Sequence, residues 1–291
     1  MIISPYGFES ELVERLHVSE LVRRYKAKCG ADISSAFGSV QFAELYQCKG
    51  TGYKFWYPNE LAGNEEFYQI LSKAWTNYYR TTRWEYDEAS SIVNATDICL
   101  EVGCGRGYFI ELIESKCRNV TGLEFNSQAI KEKVCQSEMY LEDVSVHAKR
   151  VGRKYDKIFT FQVLEHISDP KQCIENCLLM LKPGGNLVIS VPNDDYIIHK
   201  NMADAFNLPP HHMGYYNANI FKELSKIFDL ELVSISNQPP NFPQVEVTDK
   251  ILKSRLWNRY FRLFYWLGIR ILTHLKEPGH TMLVIYKNTH E

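Results

Sequence analysis

The sequence predicts an α/β protein built on a doubly wound, mostly parallel sheet, and three observations predict it. From about residue 97 short apolar runs alternate with helical stretches, the pattern of repeated βαβ units. A glycine-rich turn, GCGRG at 103–107, stands between the first apolar run and the first helix. A carboxylate, Glu124, closes the second run, 17 residues beyond the last glycine of that turn.

Residues 1–95 read as a separate lid or substrate module, and 96–291 as the main domain. In the module, ESELVERLHVSELVRRY (9–25) predicts an amphipathic helix, with Leu12, Leu16 and Leu21 near helical spacing. Alternating aromatics over 36–57, with two glycines after Cys48, predict short strands and a turn. Residues 64–93 predict a helix rich in rings, among them Tyr78, Tyr79 and Trp84. Aromatic faces suit sugar C–H surfaces and tyrosine hydroxyls suit sugar oxygens, so these three are candidate acceptor contacts, against an ordinary packed helix.

In the main domain ICLEV is the first strand and YFIELIESK the helix after the glycine turn. NVTGLE is the second strand and SQAIKEKVCQS the next helix. A weak strand lies near 139–141, and KIFTFQV is the fourth. PKQCIENCLLML is a helix, and NLVISVP the fifth strand. After a loop containing PPHHMGYY come a helix (NIFKELSKIF), a strand (LELVSIS), an insertion of about 237–279 and a last strand, TMLVIYK.

Glycines at 103, 105 and 107 allow a tight turn and let a ligand lie against bare backbone, with helix N–H groups beyond them. Glu124, at a strand end, can accept from both hydroxyls of a ribose. The segments LEVGCGRGYFIELI, TGLEFNSQAI, YDKIFTFQVLEHISDP and LKPGGNLVISVPN, in this order, resemble class I S-adenosylmethionine-dependent methyltransferases. The resemblance covers about 95–236 and the last strand. It implies a seven-stranded Rossmann-like sheet whose last strand is antiparallel, with S-adenosyl-L-methionine as cofactor and S-adenosyl-L-homocysteine as product. It also implies roles. Glu101, Gly103, Cys104, Gly105 and Gly107 hold the methionine part, and Glu124 the ribose. Phe125 lies by the adenine, with Asn126 beside it among the cofactor contacts. Glu142 or Asp143 meets the adenine amino group, and Gln162 faces the methionine end.

A sulfonium methyl is already activated, so the protein must align a nucleophile and help a hydroxyl lose its proton. Imidazole titrates near neutrality. His212 is the first candidate base, then His211, both in PPHH, then His166 in LEHI. Tyr215 and Tyr216, just after PPHH, are candidate lining of the acceptor pocket. No ligand set for a metal stands out, since Asp194 and Asp195 read as a solvated turn. Where amino-methylating nucleic-acid enzymes carry Asn-Pro-Pro-aromatic this chain has FQVLEH, which argues against base methylation.

Two flanking resemblances narrow the acceptor. PPHH followed by aromatics, and LYQCKGTGYKFWYPNELAGNEEFYQIL with YYRTTRWEYDEA, resemble methyltransferases of bacterial surface-polysaccharide and sugar clusters. Such enzymes often carry an N-terminal zinc ribbon. Cys29 and Cys48 keep one cysteine of each expected pair, which implies a ribbon without metal, held by Tyr46, Tyr53, Phe55 and Trp56. The expected acceptor is therefore a sugar hydroxyl of a glycan or nucleotide sugar. A natural-product hydroxyl and a non-catalytic cofactor-binding subunit are the alternatives.

Composition sets the outer limits. The 291 residues are 45% hydrophobic and 13% aromatic, values of a globular chain of one large or two modest domains. The net charge of −2 excludes a generic nucleic-acid binder. Eight scattered cysteines suit a reducing compartment. With no signal-like start and no long uncharged apolar run, a cytoplasmic protein is expected. Residues 240–291 hold eight basic and four acidic residues. Within 250–276 four arginines fall in an arc of about 80° on a helical wheel. That segment is expected to face the body, a second subunit of a homodimer or the inner membrane surface.

Overall fold

A computed structural model of the protein describes residues 1–75, 78–196, 204–238 and 279–290. The amphipathic segment 250–276 and most of the insertion at 237–279 lie outside the described residues.

The chain opens with strands β1 (Ile2–Ile3) and β2 (Glu9–His17). The helix expected over 9–25 starts only at Val18. Leu12 is half exposed, so the leucine spacing across 12–21 is not one buried face. Residues 10–17 instead pair antiparallel with residues 42–48, with a bulge between Leu12 and Glu14. His17 ends the strand and caps α1 (Val18–Cys29), its Nδ1 accepting from the Ser19 N–H. Leu21 and Tyr25, one turn apart, bury that helix, and Gly30 stops it at φ 74°. Strands β3 (Phe42–Cys48) and β4 (Lys54–Tyr57) form the expected hairpin.

The ring-rich region expected as one helix over 64–93 is two, α2 (Glu65–Ala74) and α3 (Trp84–Ser91). Cys29 and Cys48 do not face each other as ribbon knuckles. Cys29 Sγ donates to the Tyr25 carbonyl, whereas Cys48 Sγ accepts from Ser4 Oγ and sits in a different apolar cluster.

The second part follows the expected alternation. β5 (Ile98–Val102) leads into α4 (Tyr108–Ile113), then β6 (Asn119–Glu124), α5 (Ser127–Lys131) and β7 (Glu138–Leu141). α5 is shorter than its sequence pattern because the Val134 N–H turns to the Arg106 carbonyl. A helix the pattern does not announce, α6 (Val144–Val151), precedes β8 (Tyr155–Phe161). Then come α7 (Pro170–Met180), β9 (Leu181–Pro192), β10 (Gly214–Tyr215), α8 (Ala218–Ile227), β11 (Leu230–Asn237) and β12 (Thr281–Asn288).

Seven of these strands form one sheet in the order β11-β12-β9-β8-β5-β6-β7. β12 is antiparallel to both neighbours, and the other described pairs are parallel. Helices cover both faces, so the central strands read as continuous apolar runs rather than alternating ones. The chain steps outward from β5 through β6 to β7, then returns to the other side of β5 with β8. That reversal opens a crevice at the carboxyl ends of β5 and β8, where open α/β sheets bind ligands. Phe109 on α4 packs on Phe159 and Phe161 of β8 at 4.8 and 4.7 Å between ring centres, which fixes the helix that follows the glycine turn.

The first part adds a five-stranded antiparallel sheet, β1-β2-β3-β4-β10. Its last strand comes from the second part: Gly214 pairs with Phe55 and Tyr215 with Lys54. Only glycine fits at 214, where a Cβ would lie 1.9 Å from the Tyr53 hydroxyl oxygen. One apolar cluster joins Leu21, Tyr25, Trp56 and Phe67 to Leu208 and Met213.

Candidate active site

The glycine turn sits between β5 and α4, as its pattern implies. Gly103, Gly105 and Gly107 all take positive φ, at 71°, 56° and 81°, a region in which side chains are strained. A Cβ on Gly103 would meet Val163 Cγ2 at 2.4 Å. Cys104 is buried between them, its sulfur filling the space over Gly122.

Two buried carboxylates flank this turn. Glu124 Oε2 accepts from the Gly105 N–H at 2.8 Å, and Oε1 from the Phe125 and Asn126 N–H groups at 3.0 and 2.9 Å. These bonds oppose a burial that still holds its carboxyl above the ordinary value. Glu101 is 2% exposed, and its Oε2 has no hydrogen-bond partner among the described residues. Burial first, then the nearby Glu124 charge, push its carboxyl well above the ordinary range.

Around them lies a cavity of about 720 Å³. It collects Gly103, Cys104, Gly105, Glu124, Phe125, Asn126, Glu142, Asp143 and Gln162 from the ends of the central strands. Glu101 lies beneath the turn, and Gly107 caps α4 without reaching the cavity wall. The Phe125 ring is 47% exposed, an apolar face open to a flat ligand. Asn126 is buried and donates from Nδ2 to the Tyr79 hydroxyl at 2.8 Å. Gln162 holds φ 56°, strained for a side-chain residue, and donates to Ser190 Oγ. Glu142 accepts from Arg150 and pairs with His147, whereas Asp143 caps α6 through the Ser145 N–H.

The same cavity is lined by His166, His211 and His212. His166 follows β8 on the short turn Leu164–His166, and the other two follow β9. Their rings are 4.4 to 5.1 Å apart between centres. Each ring gives its Nδ1 hydrogen to an oxygen. His166 donates to the His211 carbonyl at 2.5 Å, His211 to the Phe206 carbonyl at 2.9 Å and His212 to Asn207 Oδ1 at 2.8 Å. Burial lowers His166 well below the usual imidazole range and His211 to about 4, so both rings are neutral at pH 7. The Met213 N–H donates to the Glu165 carbonyl, pinning the loop to the turn that carries His166.

Of the expected acceptor contacts, Tyr78 and Tyr79 line the cavity. Tyr79 lies directly over Gly105, where a Cβ would meet its ring at 2.8 Å. Three others do not line it. Trp84 donates from its indole to Thr281 Oγ1. Tyr215 accepts from the Trp56 indole and donates to the Asn207 carbonyl, inside the small sheet. Tyr216 is fully buried against Tyr53 and Phe221. Tyr215 is buried in the apolar cluster of the first part and Tyr216 in the cluster beneath the main sheet. Several lining residues carry no sequence signal of their own: Tyr68, Arg80, Arg83, Glu165 and Asn207. Arg83 Nε and both Glu165 carboxylate oxygens are buried without a hydrogen-bond partner among the described residues. Glu165 directly precedes a histidine that was singled out, and that adjacency is the one clue to it.

The chain is similar to curated relatives over part of its length and to solved structures in fold. Ubiquinone biosynthesis O-methyltransferases of Erwinia tasmaniensis and Escherichia coli are 31% and 32% identical to it over 101 residues, 32% of this chain. The match spans 42% of those relatives' length. A complex of the Haloferax volcanii Trm112 methyltransferase activator with a methyltransferase is similar in fold. The TM-score is 0.51 at 14% identity, over 72% of this chain and 90% of that one. An S-adenosylmethionine-dependent methyltransferase from Archaeoglobus fulgidus aligns over 78% of this chain and 95% of its own, at 18% identity and a TM-score of 0.48. The family model described as a methyltransferase domain matches residues 75–235, more than half of the chain. The protein therefore belongs to that methyltransferase family.

Proposed function

We propose that the protein transfers a methyl group from S-adenosylmethionine to a hydroxyl of a small-molecule acceptor. One observation carries this reading: a glycine turn with a ribose-type carboxylate and a histidine trio share one cavity. When bound, the cofactor supplies a methyl already activated by its positive sulfur.

The residues present fit that cofactor. The unpartnered Glu101 oxygen suits the amino group of the methionine part, since a buried carboxylate gains most from a cation. Gly103, Cys104 and Gly105 hold the backbone open to the same part, Gly107 shapes the turn behind them, and Gln162 stands at its end. Glu124, set by three backbone N–H groups, is oriented to accept from ribose hydroxyls. Phe125 offers its open face to the adenine, with Asn126 behind it. Asp143 receives the adenine amino group, because Glu142 is engaged with Arg150 and His147.

His212, His211 and His166 act on the acceptor hydroxyl as a group. Residues 1–95 supply the acceptor wall through Tyr78, Tyr79, Arg80 and Arg83, with the Tyr78 ring 5.8 Å from that of His211. The resemblance of the flanking segments supports a sugar hydroxyl. A second reading, an acceptor of the kind met in ubiquinone biosynthesis, draws on the curated relatives.

Incubation with methyl-labelled cofactor and fractionated extract tests this. Label in nucleotide-sugar, glycan or lipid-linked sugar fractions is the expected result. Label in the quinone fraction selects the second acceptor, and label confined to protein or RNA refutes a small molecule. Cofactor binding with no label anywhere favours a non-catalytic partner subunit.

A further inference from the structure

The three histidines have the geometry of metal ligands. With each Nδ1 hydrogen given to an oxygen, the lone-pair nitrogen of each ring is Nε2. That is the arrangement seen when an outer oxygen fixes a ligating histidine. One nitrogen from each ring lies within 4.8 Å of the other two. A tetrahedral ion with bonds of about 2.0–2.1 Å needs nitrogens about 3.4 Å apart, a gap that small ring rotations close.

A second observation points the same way. Glu165 is 1% exposed, lines the cavity, and has both carboxylate oxygens without a hydrogen-bond partner among the described residues. Its Oε1 is 3.8 Å from His166 Nε2. A carboxylate buried in this way is costly unless a cation meets it.

We propose that His166, His211 and His212 bind one divalent transition-metal ion of the zinc type, with Glu165 beside it, and that its open position takes the acceptor hydroxyl. Three imidazoles select such an ion over Mg²⁺ or Ca²⁺, which take oxygen ligands. The role at the hydroxyl rests on the methyl-transfer reading above, and the ion site itself does not. At the ion a metal–oxygen bond forms and the O–H bond breaks. The electron pair stays on oxygen, the proton leaves to solvent, and nothing is oxidised or reduced. The ion lowers the pKa of the bound hydroxyl as it does that of bound water, so the oxygen meets the methyl as an anion.

The test uses the full chain, stripped with a chelator and titrated with Co²⁺ as probe. One Co²⁺ per chain, with the visible bands of a low-coordinate site and displacement by Zn²⁺, is expected. His211→Gln and His212→Gln abolish the bands. Asn207→Ala, which frees the His212 ring, weakens Co²⁺ binding about 10–100-fold. S-adenosylhomocysteine binding by calorimetry reports that each variant is folded. A wild-type chain that binds S-adenosylhomocysteine but neither Co²⁺ nor Zn²⁺ overturns the site, whatever methylation shows. Metal binding with methyl transfer unchanged after chelation overturns the role at the hydroxyl. Metal binding with no acceptor methylated upholds the site and counts against the methyl-transfer reading alone.

Discussion

Glu124→Gln separates a residue that binds the cofactor from one that only holds the turn. The carboxylate accepts three backbone N–H bonds through two oxygens, and the Gly105 bond uses Oε2 alone. Glutamine keeps the shape but has one oxygen. If that oxygen stays with Phe125 and Asn126, the amide nitrogen faces the Gly105 N–H, donor against donor. Leaving that buried donor unmet costs about 1–3 kcal/mol of stability. A bound ribose loses at least one hydrogen bond to a charged acceptor, worth about 1.5–3 kcal/mol, and cofactor affinity falls about ten- to hundredfold. Calorimetric titration with S-adenosylhomocysteine measures the second effect and urea unfolding the first. A folded variant that binds S-adenosylhomocysteine within about twofold of the wild type refutes the ribose assignment, because no loss that small fits a lost charged bond.

Three further outcomes follow from the same geometry. Burial and Glu124 let folded Glu101 keep its proton to higher pH than the unfolded chain does. Its stability contribution is full below the unfolded value of about 4.3 and is lost as pH rises toward the folded one. Ligand-free Glu101→Gln therefore melts above the wild type at neutral pH, the gap closes near about pH 4, and S-adenosylhomocysteine binding weakens. Scanning calorimetry across pH checks this. Gly103→Ala strains a positive φ and drives a methyl into Val163. It should cost about 2–4 kcal/mol in urea unfolding. Tyr216→Phe removes one hydroxyl of a buried Tyr6–Tyr216 pair. It should cost about 1 kcal/mol and leave kcat and KM for the acceptor unchanged; a raised KM would return Tyr216 to the acceptor pocket.

The alternating core was legible because its signals are local. Strands such as 98–102 and 119–124 are buried on both faces and so stand out as short apolar runs. The turn at 103–107 needs three glycines, and their spacing is visible without any neighbour. The first strand pair was not legible in this way. Leu12, Leu16 and Leu21 mimic a helical stripe, but pairing with residues 42–48 decides the conformation, and pairing is not written in a window of nine residues. The same limit applies at the site. His166 and His211 are 45 residues apart in the chain. Their approach depends on the β9 loop returning over the end of β8, and only the fold shows that their Nδ1 atoms all point at oxygens. Tyr215 and Tyr216 stand close to the histidines in the chain, yet both are buried in the apolar clusters away from the cavity lining.

The short strand at Gly214–Tyr215 bears on how such a protein is recombined. It lies two residues past His212 yet belongs to the sheet of the first 57 residues. Exchanging residues 1–95 between relatives, in the hope of moving acceptor choice, would leave a host loop facing a foreign edge. The glycine at 214 would then stand against whatever replaces Tyr53. The packing unit is thus discontinuous: the first segment travels together with 204–216, and a graft that respects chain order alone cuts it in two.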